Sequence, residues 1–298
     1  MIDRVAGSDF GQGCVVDAHH HLWNVAEQPY PWLSGAPPGS VEATLAERDG
    51  DYEAPAYRAE VERLCVVASV HVQADWDPRD PVGETRWLQA QHERHGLPSA
   101  IVGYARLEDP GARDVLLAHA RCEAFRGIRQ VLAWDVPDDL MDDRAWRQGL
   151  ALLAPLGLSF ELAVLPPQLA AAAQLARAFP ATAFVLGHAG HPAETTDRAV
   201  WLDGVRRLAD CPNVAVKLSG LTQPQRSVDA IREDVEELLA AFGCERAMFG
   251  SNLPVERLDG SVQVLVDALD GALAARSQQE RDAVWGATAA RFYRLAPA

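Results

Sequence analysis

Short runs rich in Val, Ile, Leu and Phe alternate along this chain with longer segments whose apolar residues recur every three or four positions. The first pattern predicts buried strands and the second amphipathic helices. Eight strands are predicted, over 15–21, 66–74, 100–107, 125–132, 158–164, 183–190, 214–220 and 247–252. Most are bounded by Gly, Pro or Asp. Helices are predicted between them, over 56–64, 81–95, 113–121, 144–153, 168–179, 200–208 and 228–242. Tyr57, Val61 and Leu64 share one face of the first, and Val82, Trp87 and Leu88 lie on the second. Val115, Leu116 and Leu117 lie on the third. Asp109-Pro110 and Pro166-Pro167 read as start signals, and Gly157 and Gly243 as stops.

Strand–helix alternation repeated eight times predicts a parallel sheet closed into a distorted (β/α)8 barrel of the TIM type. An open, doubly wound sheet is the alternative. It normally carries a Gly-rich phosphate turn after its first strand, and this chain has none there. A length of 298 residues suits two domains or one large barrel. The lack of a composition boundary favours a single domain over 1–298. Segment 24–55, rich in Pro, Gly and acidic residues, reads as an elaborated first strand–helix loop. It forms either a pocket wall or a surface excursion. Segment 278–295 reads as a closing helix with Val284, Trp285, Thr288 and Phe292 inward.

Charge narrows the partners. A net charge of -15 argues against nucleic acid and anionic membranes, which need a basic face. An anionic small substrate stays open, because one arginine can dominate a pocket. Five cysteines, Cys14, Cys65, Cys122, Cys211 and Cys244, are scattered without a CxxC spacing. That excludes a zinc knuckle or disulfide framework and fits a reducing compartment. No apolar run approaches the roughly 20 residues of a membrane span. The early Asp3, Arg4 and Asp9 are unlike a signal peptide. A cytoplasmic protein is expected.

The chemistry concentrates at predicted strand ends, where a barrel carries its active site. In Val15-Val16-Asp17-Ala18-His19-His20-His21, alternation puts Asp17, His19 and His21 on one face and His20 on the other. Two imidazoles there can hold a divalent metal or position a reacting oxygen. A solvated turn or a vector tag is the bland reading, but a tag does not follow an apolar strand. Strand two offers His71 and Gln73, strand three Arg106, and strand four Arg129 and Gln130. Strand five offers Glu161, strand six His188, strand seven Lys217 and Ser219, and strand eight Asn252. Burying such groups is costly unless they are paired or ligated.

Each has a bland alternative. His188 could be a core histidine bonded to a carbonyl. His71 divides between packing and support of the site. Arg106 and Arg129 could clamp a carboxylate or pair with Glu108 or Asp135. Lys217 is equally open. Glu161 could be a ligand, a general base or the partner that orients an imidazole. His92, His95 and His119 fall on helix patterns and are expected at the surface, with His191 at the rim.

The segment Asp17-Ala18-His19-His20-His21-Leu22-Trp23 resembles the opening motif of the amidohydrolase superfamily. The closer resemblance is to its amidohydrolase-related branch, which includes 2-pyrone-4,6-dicarboxylate lactonase and sugar lactonases. Phe125-Arg126-Gly127-Ile128-Arg129-Gln130 resembles that branch's fourth strand, and residues 184–190 resemble its histidine strand. Residues 214–220 and 248–255 resemble its last two strands, and Ala289-Ala290-Arg291-Phe292-Tyr293 its terminal helix. The resemblance implies a barrel that hydrolyses a lactone or amide carbonyl. It gives His19 and His21 the role of binding one divalent ion, Zn or Mn, or of holding the carbonyl where no metal is used. His188 would lie near the same carbonyl as a third candidate ligand, and Arg129 would contact a substrate carboxylate or hydroxyl.

Two positions depart from the family pattern. Asn252 stands where an aspartate usually serves as general base, and an amide cannot accept a proton at neutral pH. Glu161 stands in the region of the usual strand-five histidine. The expectation is therefore a small-lactone hydrolase with His19, His21, Glu161, His188 and Asn252 as catalytic set, and with Glu161 or His188 as base. His71, Gln73, Arg106, Arg129, Lys217 and Trp23 would bind substrate. Decarboxylation or lactone isomerisation on the same barrel, and a ligand-binding protein that has lost its base, are the rivals. The partner is a small molecule, and exposed tryptophans would permit a homodimer.

Overall fold

The computed structural model describes residues 15–296, apart from 38, 39, 41, 42, 47–49, 135, 138, 196, 224 and 225. Cys14, Asp135 and the early Asp3, Arg4 and Asp9 lie outside the described residues. Eight parallel strands run in sequence order around one sheet. They are β1 (Val15–His20), β2 (Val66–Val72), β3 (Ala100–Gly103), β4 (Phe125–Ile128), β5 (Ser159–Leu162), β6 (Ala183–Leu186), β7 (Val214–Leu218) and β8 (Ala247–Phe249). Helices α1 (Ala54–Val61), α2 (Gly83–His95), α3 (Ala112–His119), α4 (Arg144–Leu150), α5 (Leu169–Ala178), α6 (Arg198–Ala209) and α7 (Val228–Phe242) cross between successive strands. The fold is the expected (β/α)8 barrel. Helix α8 (Val262–Leu273) follows β8 and escaped the sequence reading. Its sequence VQVLVDALDGAL buries Leu265, Ala268, Leu269 and Leu273 at helical spacing, and Ser261 caps it.

Small and β-branched residues fill the barrel. Val16, Ala18, Val70, Val72, Val102, Val185, Ala215 and Met248 face inward, and Ala289, Ala290 and Tyr293 of the C-terminal helix pack against them. Tyr293, not the expected Phe292, is the buried side chain here; Phe292 is half-buried. A π-helical turn at Ala283–Ala287 explains the change, because the wider turn shifts the inward phase of the residues after it. His119, expected at the surface, is fully buried. Its ring nitrogens lie 2.8 Å from Thr85 Oγ1 and 2.9 Å from Tyr104 O, and burial lowers its pKa to about 4.

Several strands stop earlier than their apolar runs predict. β3, β4 and β6 end at Gly103, Ile128 and Leu186, so Arg106, Arg129 and His188 sit on the loops that follow. In β1 the register slips between Asp17 and His20. A bulge breaks the two-residue alternation. Asp17 therefore does not share a face with His19 and His21. It turns with His20 toward α1, where Tyr57 Oη donates to Asp17 at 2.8 Å and the Tyr57 ring stacks on His20 at 4.0 Å.

The seam between β1 and the chain after β8 is closed by few bonds. Asn252 N donates to His19 O and His21 N to Leu253 O, both at 2.7 Å. Asp17 fastens the same seam, accepting from Ser251 N at 2.8 Å, Ser251 Oγ at 2.5 Å and His19 N at 3.1 Å. Segment 24–55 is tied down where it is described. Trp23 and Tyr52 exchange backbone bonds of 2.9 and 2.8 Å, and Trp32 Nε1 donates to Ala74 O at 2.7 Å. Leu22, Trp23, Tyr30, Leu33 and Tyr52 form a second core with Tyr57 and Leu88. Among the described residues no helix is long and apolar enough to cross a membrane.

Replacing Asp17 by Ala strands buried donors on Ser251 and Tyr57. Denaturant unfolding of Asp17→Ala should show a loss of about 3 kcal/mol. A loss below about 1 kcal/mol would show that the seam does not depend on this carboxylate.

Candidate active site

A cavity of about 330 Å³ opens where the strands end, the place a barrel keeps its chemistry. Its floor carries His21, Arg129, His188 and Asn252, and Trp23, Trp32 and Trp134 wall it. His19 lies against this floor. Its Nε2 is 3.3 Å from His21 Nε2, and its ring centroid is 4.4 Å from that of His188. Backbone shape makes the cluster possible. Gly220 has φ +59, and a Cβ there would come within 2.5 Å of His188 Nδ1. A Cβ on Gly250 would meet His19 Cβ at 2.8 Å. His188 itself is left-handed, φ 47, in the tight turn Gly187–Gly190.

Hydrogen bonds fix the proton positions. Val72 O can only accept, so His21 Nδ1 donates to it at 2.7 Å and the neutral ring keeps a lone pair on Nε2. His19 Nε2–H then donates across the 3.3 Å contact. His188 Nδ1 meets Ser219 Oγ at 3.1 Å. Burial pushes all three imidazoles well below 6.5, with smaller contributions from like charge: His188 acts on His19, Arg129 on His21, and His191 on His188. All three are neutral at neutral pH. Burial also lowers His191, at the edge of the cluster, to about 4.

Other expected site residues lie outside the lining. Glu161 and Lys217 form a buried ion pair of 2.7 Å, and Tyr293 Oη donates to Glu161 Oε1 at 2.5 Å. Tyr293 belongs to the barrel's inward cluster, so this trio sits inside the barrel and not on the cavity wall. His71 Nε2 donates to Leu22 O at 3.2 Å, behind the floor. Gln73 is tied to Asp75, and its carbonyl accepts from Arg129. Arg106 is exposed and paired with Glu108 at 3.0 Å. Gln130 accepts from Trp146 Nε1 at 2.9 Å and braces the loop after β3.

Sequence reading missed Asp75, Glu194, Gln223 and Glu256, which also line the cavity. Glu256 had the clearest signal, because it follows the eighth-strand motif by one helical turn. Asn252 Nδ2 donates to its Oε2 at 3.0 Å. Outside the cavity, Glu84 of α2 holds the loop after β2. Its Oε1 accepts from Ala74 N at 2.8 Å and Tyr30 Oη at 3.2 Å, and burial lifts its pKa to about 8.

The His19–His21 pair suits a divalent ion in part. Two Nε2 atoms 3.3 Å apart match two ligands of one tetrahedral zinc with bonds of roughly 2.0–2.1 Å. A catalytic zinc normally takes three protein ligands. Among the described residues, no group of three or more His, Cys, Asp or Glu side chains is arranged to hold one. Asn252 presents an amide where a carboxylate could have been the third. The residues present thus fall short of a resident metal centre, and no chemical step below runs through one.

The chain belongs to the amidohydrolase family, which matches residues 16–295. The uncharacterized protein y4mH of Sinorhizobium fredii is 35% identical over 292 residues, 94% of this chain and 98% of the relative. An L-fucono-1,5-lactonase of Burkholderia ambifaria is 32% identical over 250 residues, 82% of each chain. Among solved structures, an amidohydrolase from Burkholderia multivorans with bound zinc superposes with a TM-score of 0.81 at 30% identity. That match covers 95% of this chain and 100% of the other.

Two outcomes follow from the site. Glu84 is neutral in the folded protein at pH 7 and would ionise on unfolding, so its contribution is lost as pH rises from 4.5 through about 8. Glu84→Gln should abolish that loss, on the order of 2–4 kcal/mol, in unfolding measured across this range. An unchanged pH dependence in the variant would refute the assignment. Protein loaded with zinc and dialysed should retain well under about one equivalent by elemental analysis, since two imidazoles bind weakly. One retained equivalent, lost in His21→Ala, would contradict the donor count.

Proposed function

We propose that the protein hydrolyses a small lactone by water attack on the ring carbonyl, and that the substrate is a neutral, hydroxyl-rich sugar lactone. The observation that carries this reading is the cluster of three buried, neutral imidazoles at the cavity floor, His19, His21 and His188. A neutral imidazole can donate an N–H to an oxygen that is gaining charge. Ser219 Oγ–H donating to His188 Nδ1 leaves His188 Nε2–H for the substrate. His19 Nε2–H is spent on His21 Nε2, so these two rings hold each other in place beside His188. As the water oxygen bonds to the carbonyl carbon, the C=O electron pair moves onto the oxygen that His188 holds. Collapse of that species breaks the ring C–O bond and releases the hydroxy acid.

The lining supports a polyol over a dicarboxylate. Asp75, Glu194 and Glu256 can accept from hydroxyls, and Trp23, Trp32 and Trp134 can cover the C–H faces of a ring. Among the described residues, Arg129 is the single guanidinium in the lining. Its Nε is buried without a protein partner, which suits one substrate oxygen. The relatives named L-fucono-1,5-lactonase support the same class. The catalytic set in this reading is His19, His21, His188 and Asn252, and the binding set is Trp23 and Arg129. Net charge -15 supports a small-molecule substrate and argues against nucleic acid. The four described cysteines are free thiols, which supports the cytoplasm. Trp134, 59% exposed at the rim, is the side chain that a homodimer contact would cover.

The test is a panel of sugar 1,4- and 1,5-lactones, a pyrone dicarboxylate and a hydroxybenzoate, followed by acid release and carbon dioxide evolution. Neutral sugar lactones should turn over at least about tenfold faster than the dicarboxylate. His188→Asn should lower kcat/KM by about 100-fold or more. Carbon dioxide release, or near-normal turnover by that variant, would overturn the reading.

A further inference from the structure

The lone pair of His21 Nε2 is taken by His19, and His188 Nδ1 is engaged with Ser219 Oγ, so the attacking water needs another proton acceptor. Asn252 cannot be that acceptor. Among the described residues three carboxylates line the cavity, and two of them, Asp75 and Glu194, are exposed. Glu256 is 1% exposed. The chain after β8 brings it back onto the cavity. Asn252 is left-handed at φ 56, and helix residues Glu256–Asp259 begin within four positions.

Glu256 is held from two sides. Its Oε1 accepts from Thr222 N at 3.1 Å and Thr222 Oγ1 at 2.5 Å, on the loop after β7. Its Oε2 accepts from Asn252 Nδ2 at 3.0 Å. A carboxylate facing the amide fixes which end of Asn252 carries nitrogen. Asn252 thereby ties Glu256 to the strand-eight position that carries an aspartate in related barrels, while its own backbone N is bonded to His19 O.

We infer that Glu256 is the general base of this site, its carboxylate displaced by one helical turn from the usual strand-eight position and held there by Asn252 and Thr222. The inference rests on the lactone hydrolysis proposed above. The water O–H proton moves to Glu256 Oε2 as the water oxygen bonds to the carbonyl carbon. On collapse, the same proton passes to the ring oxygen as the ring C–O bond breaks, and Glu256 returns to its carboxylate form. No other reactant is needed.

Three variants test it on the full chain, with a sugar lactone that the wild type turns over. Glu256→Gln keeps the shape of the side chain and should lower kcat by about 100-fold or more. Binding of the hydroxy acid product should change by less than about threefold. The double variant Asn252→Asp with Glu256→Gln moves the carboxylate back to the strand end and should recover at least about tenfold of the loss. Glu256→Ala should recover part of its rate with added formate, a return that a merely structural side chain does not give. If Glu256→Gln fails to fold, the formate experiment on Glu256→Ala decides in its place. Activity of Glu256→Gln within about threefold of wild type overturns the inference, as do a silent double variant and the absence of formate rescue. An inactive wild type across the lactone panel removes the reading of function and this inference with it. An active wild type beside an active Glu256→Gln removes the inference alone.

Discussion

The structure depends on how the barrel is closed, and that closure centres on Asp17. Seven of the strand junctions are made by parallel pairing. The eighth is made by a single bridge, His20 to Leu253, and by the bonds around one carboxylate. Desolvation raises the pKa of Asp17, and bonds from Ser251, His19 and Tyr57 oppose that shift. The same atoms set the site. His19 N is bonded to Asp17, and His19 O accepts from Asn252 N. A displaced seam would move His19 and Asn252 together, so the closure that stabilises the barrel also registers two faces of its cavity.

Burial then decides what the histidines can do. In water an imidazole near pH 7 exists in both protonation states. Here burial dominates the shift at His19, His21 and His188, with nearby positive charge adding to it. The gain is a set of neutral rings, with His188 as the free N–H donor, whose orientation is settled in advance by Val72 O and Ser219 Oγ. Preorganised donors of this kind need little rearrangement as charge develops. The cost is basicity, which is why the proton-accepting role is better served by a carboxylate than by any member of the cluster.

The barrel was legible because its evidence is periodic and repeated. β-branched runs, intervening helical faces and polar strand ends recur eight times, so one misread element does not alter the outcome. Helix α8 was missed although Leu265, Ala268, Leu269 and Leu273 recur at helical spacing behind the Ser261 cap. Asp17 was given the wrong face because strict alternation assumes an unbulged strand, and the slip between Asp17 and His20 depends on pairing with β2. At the site, His21, Arg129, His188 and Asn252 were found because their residue types are unusual after apolar runs. Glu256 was missed because the reading of the eighth strand stopped at Asn252, one helical turn before it. Its burial follows from Thr222 and Asn252, contacts 34 and 4 residues away in sequence.

Glu161 and Lys217 show where the strand-end argument reaches its limit. Both are fully buried, and a sequence reading treats a buried charge as functional because burial is costly. The same cost is met when two opposite charges satisfy one another, as this 2.7 Å pair does with Tyr293. Lys217 alone would place a positive charge near His19, and it does lower the pKa of that imidazole. The polar residues of the strands therefore form two layers with different work. The deeper pair is neutral overall and fixes the barrel interior against the C-terminal helix, and the layer above it lines the cavity. Charge in a strand points to a site only after its possible partners on neighbouring strands have been considered.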